Sequence, residues 1–144
     1  MIPRSGFLLS VLILFLPLFP LTADPSDSLI VHITPQVVET DESVSWEQSL
    51  AQVTLPGTPV VVKIDASPLV IRVTVTPFVR GKGFLLVVQG DISEATASGT
   101  HHSGTVQSLW VSPGQTIVFF PLGREPASTG HQMMVKMKVE FQSE

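Results

Sequence analysis

The sequence predicts an all-β chain folded as an antiparallel β-sandwich (immunoglobulin-like or similar) of seven or eight strands, after an N-terminal signal peptide. Three observations carry this. Apolar residues fall at every second position in Leu69–Val75 and again in Met133–Phe141, the period of a strand with one buried face. Short apolar runs are separated by Pro, Gly and small polar clusters, with nine of the 12 prolines lying beyond residue 23. No stretch carries a convincing helical period, so the layers that bury apolar faces must be sheets.

The first 23 residues stand apart. Arg4 precedes the apolar run Phe7–Phe19, which is interrupted by Pro17 and followed by Pro20. Leu21-Thr22-Ala23 then places a small residue ahead of Asp24-Pro25-Ser26-Asp27. That is the layout of a cleaved secretory signal, and the run is short of the ~20 residues a bilayer span needs. The expected division is residues 1–23 as signal peptide and 24–144 as one β-sandwich domain. The expected localisation is secreted or periplasmic, with no stable membrane insertion after cleavage. With no cysteine, the chain has neither a lipid-attachment residue nor a disulfide, and an apolar core alone must hold the domain.

Beyond residue 23 the chain holds 12 acidic and 7 basic residues. Asp24, Asp27, Glu39, Asp41, Glu42 and Glu47 come before any base. An acidic surface of this kind argues against nucleic acid and anionic lipid as partners.

In chain order, Ser28–Thr34 reads as a first strand with Leu29, Val31 and Ile33 on one face. Pro35 is expected to break it, with Val37-Val38 continuing it or beginning an edge strand. Thr40–Leu50 fits either a short helix capped by Asp41 or a strand in which Val44 and Trp46 alternate; irregular structure or strand is the preferred reading. Ala51–Leu55 leads into Pro56-Gly57, and Pro59–Ile64 follows as a buried strand. The centre of the chain is a hairpin: Leu69–Val75 runs out, Gly81-Lys82-Gly83 reverses it, and Phe84–Val88 returns with apolar residues on both faces. Glu94–Gly104, made of small and polar residues, reads as a mobile loop. Thr105–Val111, the turn Ser112–Gln115, Thr116–Leu122, a second flexible loop at Gly123–Gly130, and the strand Gln132–Phe141 complete the chain.

Val53–Val62 and Trp110–Phe119 share one form, a strand followed by Pro-Gly and an apolar strand. Each is followed by a long alternating strand, so two such units could place corresponding strands in opposite sheets.

Val73-Thr74-Val75-Thr76-Pro77 followed by Gly83–Val88, and later Val111–Val118 with its Pro-Gly-Gln-Thr, resemble the β-rich core motif of the bacterial secretins. The resemblance covers roughly Leu69–Leu122. The chain departs from the family in having no Gly-Gly-Leu after Gln115, no preceding ring-building domains and too little length for a complete barrel subunit. The resemblance implies an accessory component of a secretion or surface-assembly machine, docking through an edge strand such as Gln132–Phe141.

Chemistry is sparsely signalled. There is no cysteine, no tyrosine, no Gly-x-Ser-x-Gly elbow and no phosphate-cradling glycine loop in a strand–helix context. Catalysis and cofactors are therefore not expected. Asp65, Asp91 and Glu94 lie at expected strand ends, where spacing alone does not bring carboxylates together. His101, His102 and His131 are the candidate metal ligands, although adjacent residues of an extended chain point to opposite sides. Trp46 and Trp110 are either core residues or stacking platforms, and a Trp between Leu109 and Val111 favours core. Arg80 and Lys82, with Arg72 and Lys63, form a basic quartet that would contact an anion or peptidoglycan, or simply guard a sheet edge. The expected role is a non-catalytic binding or structural module of the cell envelope whose partner is a protein or cell-wall component.

Overall fold

Alternating apolar residues become strands throughout the computed structural model, which describes residues 28–124 and 132–143. The expected signal peptide, His131 and most of Gly123–Gly130 lie outside the described residues. The strands are β1 (Leu29–Val38), β2 (Val44–Glu47), β3 (Leu50–Thr54), β4 (Val60–Ala66), β5 (Leu69–Arg80), β6 (Gly83–Thr96), β7 (Gly99–Val111), β8 (Ile117–Phe119) and β9 (Gln132–Phe141). One sheet has the order β2-β1-β9-β8, with β3 also on β1; the other has the order β4-β5-β6-β7, and every pairing is antiparallel.

Two antiparallel sheets sharing one core make the sandwich the sequence predicts. The strand order, however, is consecutive rather than the Greek key of an immunoglobulin domain. With β2 and β3 taken as one interrupted edge strand, each strand neighbours the next in sequence, except where the chain crosses between sheets after β3 and after β7. The terminal strands close the circuit by pairing from Leu29↔Phe141 to Val38↔Gln132.

The inward faces are those the alternation marks. Ile71, Val73 and Val75 of β5 and Met133, Val135, Met137 and Val139 of β9 are buried, in opposite sheets and in one cluster with Leu29, Val31 and Ile33. Burying each such side chain contributes ~1.5–3 kcal/mol, and the core alone carries the fold. Two residues sit at its margins. Leu69 is only partly buried, and Phe141 is 41% exposed, its ring tilted against buried Phe84 at a centroid distance of 4.8 Å. Gly90 faces inward on β6, where an added Cβ would lie 3.1 Å from the Phe119 ring; the glycine leaves room for that aromatic to cover it.

Both crossings use the same corner. Leu55-Pro56-Gly57-Thr58 and Ser112-Pro113-Gly114-Gln115 place Pro at the first corner and Gly at positive φ (79° and 75°) at the second. Each closes with a backbone bond, Thr58 N–H to Leu55 O at 3.0 Å and Gln115 N–H to Ser112 O at 3.1 Å. Each glycine N–H also donates to the long strand being joined: Gly57 to Pro77 O at 2.7 Å, and Gly114 to Val139 O at 2.9 Å. The sequence echo is thus a structural one, and β3, β4 and β5 correspond to β7, β8 and β9 in opposite sheets.

Two expectations are corrected and one is met. Pro35 does not end β1. Its carbonyl accepts from Gln48 N–H on the β2–β3 side, so its missing donor faces the gap at Gln48-Ser49 and costs no ladder bond there. Thr40–Leu50 is a turn and then a strand, which agrees with the preferred reading. Glu94–Gly104 is not a loop but the far part of the β6–β7 hairpin, paired without a break from Asp91↔Gly104 to Thr96↔Gly99. Both faces of that part are open to water at its tip, so no apolar alternation marks it in the sequence.

Candidate binding face

The outer face of the β4–β7 sheet is built by the side chains that alternate with the core. Because Phe84, Leu86 and Val88 point inward, Leu85, Val87 and Gln89 point out. Register then sets the rows across the sheet. Phe78, Leu85 and Trp110 form one row; Thr76, Val87 and Ser108 the next; Val61, Thr74, Gln89 and Val106 the third. Lys63, Arg72, Asp91 and Gly104 make a charged fourth row, and Val70, Ser93 and His102 a fifth.

Trp110 is 69% exposed and Val106 64%. The expectation of a core Trp110 fails because Leu109 and Val111 are the inward residues of β7, partly and fully buried. The indole between them must face out, and among the described residues nothing covers it. Trp46, opposite Val37 on the short β2, is also partly open at 38%. The apolar rows end at polar ones: Gln89 Nε2 donates to both carboxylate oxygens of Asp91, at 3.3 and 3.1 Å, and Asp91 sits directly opposite Arg72. Lys63 pairs with Asp65 at 3.1 Å on exposed surface, a contact worth ~0–1 kcal/mol.

The basic quartet divides. Lys63 and Arg72 are cross-strand partners, whereas Arg80 and Lys82 lie at the Gly81 turn, eight residues and roughly 26 Å further along β5. The carboxylates are not assembled either: Asp91 lies on the outer face opposite Arg72, Glu94 opposite His101 and Leu69, and Asp65 on the edge strand opposite Val70.

His101 and His102 occupy consecutive positions of β7 and so project to opposite faces, not from a loop as expected. His102 Nδ1 is hydrogen-bonded to Ser93 Oγ at 2.9 Å. No group of three His, Asp or Glu side chains is placed to hold one ion among the described residues, and His131 lies outside them.

The opposite outer face carries an open depression of about 490 Å³ lined by His32, Thr34, Ser49, Thr116, Lys136 and Lys138, among others. Glu140 sits beside it, bonded to His32 Nε2 at 3.1 Å and to Lys138 Nζ at 3.2 Å, which neutralises much of its positive charge. On neither face, in the turn before β2, the Asp41 carboxyl is held below the usual range by the Ser43 hydroxyl and backbone N–H.

No helix among the described residues is long and apolar enough to cross a membrane. No family model, curated protein or solved structure matches the chain.

Proposed function

We propose that the protein is an exported, non-catalytic binding module of the cell envelope, and that the outer face of the β4–β7 sheet receives its partner, a protein or cell-wall component. The observation that carries this is the outward row Phe78–Leu85–Trp110, in which half-buried Phe78 and Leu85 lead to an indole that is 69% exposed. A flat aromatic surface of this kind stacks on a sugar ring or an apolar peptide side chain, and the neighbouring Ser108, Gln89, Asp91 and Arg72 supply hydrogen bonds and charge. Export is supported by the Arg4, Phe7–Phe19 and Ala23 leader pattern.

Capture from envelope extract tests the face. Trp110→Ala should lose the captured partner while keeping the thermal midpoint of the parent. Undiminished capture by Trp110→Ala would sink this reading.

A second reading, an accessory component of a secretion or surface-assembly machine, is favoured by one feature: the outermost strand of this sheet, β7, has an open edge. Docking by strand addition belongs there and not on Gln132–Phe141, which lies between β1 and β8.

A further inference from the structure

Both sheets end in strands whose outer backbone groups lack a neighbour, and such edges pair with other chains unless something prevents it. Three of the edges carry protection. β8 has 3 residues and is followed by Pro121. β4 has 7 residues, is preceded by Pro59 and points Lys63 outward. The β2–β3 edge is split at Gln48-Ser49, and β1 bulges at Val37/Val38 beneath it.

β7 has none of these devices. It runs 13 residues, contains no Pro, Lys, Arg, Asp or Glu, and keeps an unbroken register with β6 from Thr96↔Gly99 to Phe84↔Val111. Every second residue therefore turns its N–H and C=O away from β6 into water.

We infer that β7 pairs antiparallel with β7 of a second copy of this chain, making a two-fold dimer with one continuous eight-stranded sheet. Self-pairing needs an edge that does not repel itself, and this one brings no charged side chain to the seam. Asp91, the acid on the outer face one strand inward, would stay at least roughly 14 Å from its counterpart, three strand spacings away and beyond the ~8 Å screening length of physiological salt. A second copy also supplies what the pairing requires, another long unguarded strand. Because the remaining edges are guarded, the association closes at two.

Keeping outer side chains on one face requires Trp110 to fall opposite an even-numbered residue of the partner strand. An antiparallel overlap of most of β7 sets Trp110 of each copy opposite Thr100 or His102 of the other, with the two-fold axis at Thr105 or Val106. The two outer faces then join into one platform, whatever ligand they bind.

Sedimentation of the purified protein over a concentration series tests this. A reversible dimer is expected, weakened at least tenfold by Val106→Lys, with the circular dichroism spectrum and thermal midpoint kept. An equimolar mixture of Val106→Lys and Val106→Glu should recover the dimer, because opposite charges then meet across the seam. The absence of native cysteine allows a second readout: of five single-cysteine variants at positions 104–108, the one on the axis should cross-link to its copy, and Val53→Cys on β3 should not. A monomer at every concentration, a dimer indifferent to Val106→Lys, or cross-linking at Val53→Cys equal to that in β7 would overturn the inference. Capture of an extended segment of another protein by a chain that stays monomeric alone would do so as well.

Discussion

The two halves of this sandwich, β1 to β5 and β6 to β9, are built to one plan and finished differently. Each half begins with a strand central to its sheet, adds an edge strand, turns a Pro-Gly corner into the other sheet and ends on a long alternating strand. Gly57 and Gly114 even donate to Pro77 and Val139 at equivalent points of the register. What differs is the edge strand. In the first half Pro35 leaves no donor at Gln48-Ser49, and the edge breaks into β2 and β3. In the second half β7 runs 13 residues without interruption. The equivalent elements make the core, and the element that departs from equivalence is the open strand that carries Trp110. The two halves thus differ at the rim while the interior keeps the common plan.

The largest effects should come from the paired long strands. Ile71→Ala in β5 and Met137→Ala in β9 should each cost ~2–5 kcal/mol in urea denaturation, since both side chains are fully buried. Thr74→Ala, on the outer face, should stay within ~0.5 kcal/mol, and Met137→Leu within ~1.5 kcal/mol. A large loss in one strand alone would end the claim that the halves share the core equally.

Next come the corners. Gly57→Ala and Gly114→Ala force a Cβ into a left-handed backbone, and their added methyls meet only ordinary contacts at 3.6 and 3.5 Å. Each should cost about 1–2 kcal/mol, and unequal losses would show that one corner holds the crossing more tightly.

Smaller still are Val53→Lys on β3 and Val106→Lys on β7, both at exposed positions. Each should change stability by less than ~0.5 kcal/mol, with only the second altering association.

The smallest expected effect lies in the turn before β2. A carboxyl with a lowered pKa contributes stability that is complete above its unfolded value and lost as pH falls through the native one. The advantage of the parent over Asp41→Ala should therefore be present at neutral pH and vanish in acid. A difference that persists below both pKa values would assign it to the shape of the turn instead.

Alternation made much of this fold legible. It picked the inward residues of β1, β5 and β9, and the run Phe84–Val88 declared both of its faces apolar, which is why an outer patch exists at Leu85 and Val87. Three features escaped for physical reasons. Leu109-Trp110-Val111 is apolar throughout, so composition does not say which of the three faces out; the pairing of Phe84 with Val111 does. Residues 94–104 form strand with water on both sides at the tip, and a strand that buries nothing leaves no period. Continuity through Pro35 depends on which side its nitrogen faces, and that is fixed by partners far along the chain. The rows of the binding face are likewise a product of register, which no local pattern contains.

The pairing of β1 with β9 has a mechanical consequence. Gln142 N–H donates to Ser28 O at 2.9 Å, so the first and last described stretches leave the sandwich side by side at one pole. Tension pulling these ends apart would load the β1–β9 ladder one rung at a time, as a zipper opens, and the seam would yield at low force. Tension drawn along β7 would instead stretch all its rungs to β6 together, in shear. One molecule therefore holds a weak joint between its ends and a strong one beside its candidate binding face, and the direction of a load would decide which is felt.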